Sequence, residues 1–141
     1  MLRPALFFAC LLGAAPASAD CDHFKWSVEH ARQAFAAPER LASVGGVALP
    51  GKGYAVTLTQ GLDLPRKPER DPKPGSYAAV IETPKLEAGL YQITLSQEAW
   101  IEVAQGGKVV KSSDFSGQHD CPDVRKSVRF PLRAESAQVV S

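Results

Sequence analysis

The stretch from Gly89 to Ser112, GLYQITLSQEAWIEVAQGGKVVKS, carries the strongest structural signal in the chain. Apolar and polar residues alternate over 89–95 and again over 99–103, and a third short run covers 108–111. Such alternation is typical of half-buried strands, and the pair Gly106-Gly107 between two runs predicts a hairpin. The stretch therefore predicts a three-stranded β-meander.

The chain on either side of the meander adds more strands and a single helix. The interval from Asp20 to Pro38 has apolar residues at helical spacing and ends at a proline, which predicts one short helix. No region alternates strands with helices, so a parallel α/β sheet is not expected. The sequence predicts a mainly β protein, an antiparallel jelly-roll-like β-sandwich with one N-terminal helix. The further strands are predicted over residues 54–59, 76–83 and 124–132, with a last one beginning near 136, which favours a chain that continues beyond residue 141.

Residues 1–19 have the features of a secretory signal peptide. Arg3 precedes an uncharged apolar run, and residues 16–19 end in the small-x-small pattern of a cleavage site. The apolar run spans about eleven residues, whereas a membrane-spanning helix needs roughly twenty. We therefore expect cleavage before Asp20, a single domain over residues 20–141, a periplasmic or secreted location, and no integral membrane segment.

The charge balance limits the classes of partner. The full chain has 16 basic and 15 acidic residues, and Arg3 leaves with the predicted signal peptide. The remaining chain is therefore close to neutral. A neutral domain is not expected to bind nucleic acid or an anionic membrane through its overall charge.

The cysteines predict a disulfide. Cys10 lies in the predicted signal peptide, so the exported chain keeps only Cys21 and Cys121. Two cysteines in an oxidising compartment usually pair. A bridge between them closes a loop of about a hundred residues, which stabilises by up to roughly 4–5 kcal/mol in the chain-entropy model.

The predicted disulfide also brings together residues that suit a transition metal. Asp22 and His23 follow the first cysteine, and His119 and Asp120 precede the second. Imidazole and carboxylate groups are ligands for zinc, copper or nickel. Two interpretations remain open: a surface metal site, or polar loop residues around a structural disulfide.

Several residues are candidates for ligand binding. Tyr91 and Trp100 lie in the meander, where an exposed aromatic ring can stack on a sugar and a buried one packs in the core. Arg125 and Arg129 are predicted to point outward from their strand, either to protect a sheet edge or to bind carboxylate or phosphate groups. The loop at residues 65–75, with four prolines and four basic residues, is either simply solvated or contacts a partner.

No motif points to catalysis. The sequence lacks a G-x-S-x-G nucleophile elbow, a P-loop, a dinucleotide fingerprint and a zinc cysteine cluster. We therefore expect a non-enzymatic exported binding or envelope accessory domain without a cofactor, whose partner is a glycan or an envelope protein. The alternative is a periplasmic transition-metal-binding protein with its site near the Cys21–Cys121 disulfide.

Two patterns carry resemblances to known families. The meander, with G-x-Y-x-I-x-L-S, A-W-I-E-V and G-G-K-V-V-K-S, resembles bacterial pre-peptidase C-terminal domains and related carbohydrate-binding jelly rolls. This resemblance implies a jelly-roll fold and carbohydrate binding. The pair CDHFKWSV at 21–28 and DCPDVRKSVRF at 120–130 resembles a family of small exported proteins from Gram-negative bacteria without an established activity.

Overall fold

The protein is mainly β-structure, as the sequence predicts. A computed structural model describes residues 19–60 and 63–141, which form twelve strands, one short 3₁₀ helix and one α-helix. The predicted signal peptide lies outside the described residues, apart from Ala19. Within the described residues, no helix has both the length and the apolar character needed to cross a membrane.

The expected N-terminal helix is divided in two. A 3₁₀ helix covers Ala19–His23, and helix α1 covers Glu29–Ala36. Between them the backbone turns toward a strand, because the N–H of Lys25 donates to Ser116 Oγ at 3.1 Å rather than to a helical carbonyl. Helix α1 begins after Val28, which makes no side-chain capping hydrogen bond, and Ser27 Oγ accepts a hydrogen bond from the N–H of Glu29 at 3.3 Å.

The strands form four sheets in the described part of the chain. Two of these sheets have only two strands each, β1–β3 and β4–β5. A three-stranded sheet has the order β10–β11–β7, and a five-stranded sheet has the order β2–β6–β12–β8–β9. The strands are β1 Glu39–Leu41, β2 Val44–Val47, β3 Tyr54–Val56, β4 Thr59–Gln60, β5 Tyr77–Ala78, β6 Val80–Glu82, β7 Gly89–Leu95, β8 Glu102–Gln105, β9 Lys108–Val110, β10 Asp114–Gly117, β11 Lys126–Leu132 and β12 Gln138–Val140.

The predicted three-stranded meander is wrong, although its hairpin is correct. Strands β8 and β9 pair with Gln105 opposite Lys108, and both intervening glycines have positive φ, which favours this tight turn. Strand β7 instead pairs over its whole length with β11 in the other large sheet. The residues between β7 and β8 cross from one sheet to the other, because the break at Ser96-Gln97-Glu98 does not form a turn that reverses the strand.

The prediction of a purely antiparallel fold is also wrong. Strand β1 pairs with β3 and strand β2 pairs with β6 in parallel, whereas the other pairings are antiparallel. A parallel pair needs a connection of about a dozen residues or more. The segments 42–53 and 48–79 that join these pairs meet that requirement, so the chain returns in the same direction.

Both large sheets contribute to the main hydrophobic core. Val128, Phe130 and Leu132 of β11 face this core, as the alternation in their strand predicts. Strand β8 is buried along its whole length, because its second face is covered by other segments of the chain. The buried members of the cluster are Leu86, Ile101, Val103, Val128, Phe130, Leu132 and Ala137.

A second, smaller core surrounds the two cysteines. Cys21 and Cys121 form a disulfide with their Cα atoms 4.7 Å apart, which confirms the predicted pairing. Phe24, Val28 and Val124 are buried around this bridge. The disulfide therefore fixes the N-terminal segment against the residues that precede β11.

Candidate functional site

Trp100 is exposed at the point where the chain enters strand β8. The residue is 51% exposed, whereas the next residue, Ile101, is buried in the main core. The indole therefore sits directly beside a rigid anchor. Of the two interpretations that the sequence leaves open, the structure places Trp100 on the surface.

The proline-rich loop at residues 65–75 docks beside Trp100 through a buried carboxylate. Glu102 is only 4% exposed, and its Oε2 accepts a hydrogen bond from the backbone N–H of Glu69 at 2.9 Å. Arg66 Nη2 lies 3.2 Å from Glu102 Oε1. A buried carboxylate is costly unless a cation and hydrogen-bond donors compensate it, and this loop supplies both.

Arg66 and Glu102 form an ion pair, but they do not make the two parallel hydrogen bonds of a bidentate arginine–carboxylate pair. Glu102 Oε1 and Arg66 Nη1 are buried, and neither has a hydrogen-bond partner among the described residues. The attraction between the two side chains is therefore mainly Coulombic. Pro68 is buried in the same loop, so the loop is held by apolar packing as well as by charge.

Arg70 completes this surface. Its guanidinium carbon lies 5.0 Å from the centroid of the Trp100 ring, within the range of a cation–π contact. Arg70 is exposed, and within the described chain no carboxylate forms an ion pair with it. Lys67, by contrast, pairs with Asp71 at 3.0 Å. We call Trp100, Arg70 and the docked loop at 65–75 the Trp100 surface.

Tyr91, the other aromatic candidate, has a structural position. It is half-buried and packs against the main core, and its hydroxyl donates to the carbonyl of Glu87 at 2.8 Å. Tyr91 is on β7 in the three-stranded sheet, whereas the Trp100 surface adjoins β8 in the five-stranded sheet. No contact within the described residues joins the two.

The two arginine candidates contact other parts of the chain. Arg129 lies over the Trp26 ring at 4.0 Å, and its Nε donates to Gln92 Oε1 at 3.4 Å. Arg125 pairs with Glu98 at 2.6 Å. Both side chains are half-buried, so their guanidinium groups stabilise the fold around β11.

The N-terminal segment covers the outer face of β10 and β11. Trp26 Nε1 donates to Ser127 Oγ at 2.9 Å, and Ser127 is fully buried. Lys25 Nζ donates to Asp114 Oδ1 at 2.7 Å. The Lys25 ammonium lowers the pKa of the Asp114 carboxyl, and the N–H of Phe115 acts in the same direction.

The predicted metal ligands lie at the disulfide end of the protein. Gln118 Nε2 donates to the carbonyl of His23 at 2.9 Å, so the two segments adjoin there. His119 Nε2 lies 3.5 Å from the Arg125 guanidinium, a cation that disfavours a second cation nearby. Across residues 19–60 and 63–141, no three histidine, cysteine, aspartate or glutamate side chains form a group that could hold a metal ion. Asp22 and Asp120, the two predicted carboxylate ligands, are therefore not part of such a group.

Comparisons with protein-family models, with curated proteins and with solved structures found no match. The candidate site therefore rests on the geometry of this chain.

Sequence reasoning found Trp100 and the basic loop, but it missed how they are connected. The alternation over 99–103 puts Glu102 on the face opposite Ile101 and Val103, but it does not decide whether that face is solvated or covered. In the structure the loop covers Glu102 on that face. No local pattern links Glu102 to Arg66, so Arg70 could not be assigned to the same surface.

Proposed function

We propose that this protein is an exported, non-enzymatic binding domain that acts in the cell envelope and contacts its ligand through the Trp100 surface. In this proposal the two large sheets form a jelly-roll-like sandwich that supports the surface. The leader-like residues 1–19 and the Cys21–Cys121 disulfide support an oxidising compartment outside the cytoplasm.

The observation that carries the proposal is the exposure of Trp100 on a fixed backbone. A large aromatic side chain is usually highly buried, yet half of this indole faces solvent beside an exposed arginine. Ile101 and the loop anchored by Glu102 hold the backbone after Trp100, and Lys126 Nζ donates to the carbonyl of Ala99 just before it at 3.0 Å. Such preorganisation lowers the entropy lost on binding, and an exposed indole is suited to stacking on a sugar ring.

The proposal predicts binding to an envelope glycan that depends on Trp100. The processed protein, residues 20–141, is mixed with purified insoluble cell-wall glycan, and the fraction that sediments is measured. Trp100→Ala is expected to weaken binding about tenfold, in line with the loss of one aromatic stacking contact.

Phe115→Ala is the matched control. Phe115 is 63% exposed and has the Lys25 ammonium 5.7 Å from its ring, so it is another surface aromatic beside a cation. This variant should sediment like the unmodified protein. If both variants lose binding equally, or if the unmodified protein does not sediment, the proposed function is wrong.

A further inference from the structure

We infer that the Trp100 surface selects sugars that carry an anionic group, either a carboxylate or a phosphate. The sugar ring packs on the open part of the Trp100 indole, and its anionic group binds the Arg70 guanidinium. This inference rests on the proposed binding function and specifies the ligand of the same surface.

The two arginines of the loop have different environments. Arg66 is 19% exposed and is paired with the buried Glu102 carboxylate, so its charge is already compensated. Arg70 is exposed, lies on the indole, and has no carboxylate partner within the described residues. The loop thus presents one uncompensated guanidinium directly beside its exposed aromatic ring.

The hydrogen-bonding edge of Arg70 is available. Besides its contact with the Trp100 ring, its side chain makes no hydrogen bond or ion pair within the described residues, and its five N–H donors point outward in the plane of the group. Carboxylates and phosphates bind that edge through two parallel hydrogen bonds. With Arg70 in place, Trp100 is still 51% exposed, so a sugar ring can contact the indole at the same time.

Glu102 fixes the position of Arg70 through the backbone. It accepts a hydrogen bond from the N–H of Glu69, the residue immediately before Arg70. The base of the Arg70 side chain is therefore tied to strand β8, which begins two residues after Trp100. The backbone segments that carry the ring and the guanidinium are thereby held close together, which favours one ligand carrying both an apolar face and an anion over two separate ligands.

The test compares each acidic sugar with its neutral partner. The methyl ester of trigalacturonate keeps the sugar chain but replaces each charged carboxylate by a neutral ester, and a phosphomannan oligosaccharide and its dephosphorylated form differ only in the phosphate. Dissociation constants are measured by titration calorimetry with the processed protein. We expect at least one acidic sugar to bind about tenfold more tightly than its neutral partner, the effect of one charge-assisted contact, and the pair that shows this difference identifies the anion.

Variants of Arg70 test whether its guanidinium causes the tighter binding of the acidic sugar. Arg70→Ala should remove the tenfold preference and leave the weak affinity for the neutral sugar. Arg70→Lys should keep only part of the preference, because an ammonium retains the charge but lacks the fork. Arg133→Ala is the control, since Arg133 is an exposed arginine after β11 that pairs with Glu135, and it should keep the full preference.

Two results would overturn the inference, and both can be told apart from failure of the proposed function. Equal affinities for acidic and neutral sugars, with binding that still depends on Trp100, would show a neutral-glycan surface. A preference that survives in Arg70→Ala would place the anion elsewhere. In either case, sedimentation with cell-wall glycan that Trp100→Ala weakens would leave the proposed function intact.

Discussion

Trp26 and Trp100 each have an arginine over the ring, but the two pairs have different surroundings. Arg129 lies 4.0 Å from the Trp26 ring and Arg70 lies 5.0 Å from the Trp100 ring. The Trp26 indole is half-buried and donates to the fully buried Ser127. The Trp100 indole is half exposed beside a loop.

The difference shows that the role of a tryptophan–arginine contact, either stabilising the fold or remaining available to a ligand, depends on the surrounding backbone and not on the pair itself. The Trp26 pair joins two parts of the fold, because a disulfide-tied segment supplies the indole and a strand supplies the arginine. In the Trp100 pair the arginine comes from a loop and remains open to solvent. The first pair stabilises the fold, and the second is available to a ligand.

Removing the disulfide should have the largest effect and should act on the Trp26 pair alone. Replacement of Cys21 and Cys121 by serine is expected to lower the free energy of unfolding by about 4 kcal/mol, because the bridge closes a loop of about a hundred residues. Urea denaturation measures this loss. Iodide quenching of Trp100 in the folded state should not change, and a rise in that quenching would mean that the two pairs are coupled.

The next largest effect is expected at the carboxylate that holds the loop. Glu102→Leu leaves Arg66 mostly buried without its charge partner, and it should destabilise the protein by about 3 kcal/mol. Adding Arg66→Met should recover much of that loss, since two apolar side chains can replace a buried ion pair. Chemical denaturation of the single and double variants tests this.

Glu87→Leu serves as the control for Glu102, because Glu87 is an exposed glutamate before β7. Its free energy of unfolding should stay within about 0.5 kcal/mol of the unmodified protein. A double variant no more stable than Glu102→Leu would show that the hydrogen bond to Glu69 matters more than the ion pair.

The two tryptophans should differ in their contribution to stability. Trp26→Ala removes a half-buried indole and its hydrogen bond to Ser127, and we expect a loss of about 2 kcal/mol. Trp100→Ala removes a side chain that is already half solvated, so the loss should be about 0.5 kcal/mol or less. Thermal and urea unfolding measure both, and equal losses would contradict the distinction between the two pairs.

The smallest effect concerns pH and the segment that carries Trp26. The pKa of Asp114 is lowered in the folded protein, mainly by its hydrogen bond from Lys25, so its contribution to stability is present above the ordinary value of 3.8. That contribution is lost as the pH falls through the lowered pKa. Asp114→Asn should therefore flatten the acid limb of the stability curve slightly, as urea midpoints between pH 5 and pH 2 would show. An unchanged acid limb would mean that this contact does not help to hold the segment.

The features of this fold that the sequence predicts correctly depend on residues close together in the chain or on the cysteine count. The hairpin at Gly106-Gly107 and the inward side of β11 follow from local alternation and turn chemistry. The disulfide follows from counting the cysteines left outside the predicted signal peptide. Each of these predictions needs information from one short segment or from the composition alone.

Features that depend on distant partners could not be predicted. Whether β7 pairs with β8 or with β11 depends on which strand offers the better partner, and β11 lies beyond the meander. The sequence does not show that the loop at residues 65–75 covers Glu102, because the two lie more than thirty residues apart. The alternation of β11 predicts that Arg129 points outward, but it cannot predict that Trp26 lies next to its guanidinium.

The position of β12 fixes the order in which the five-stranded sheet can assemble. This strand lies between β6 and β8, which are not hydrogen-bonded to each other. The pair β2–β6 and the hairpin β8–β9 can therefore join into one sheet only through Gln138–Val140, and such sequence-distant pairings slow folding. A chain truncated before residue 138 would lack the strand that joins the two parts of this sheet.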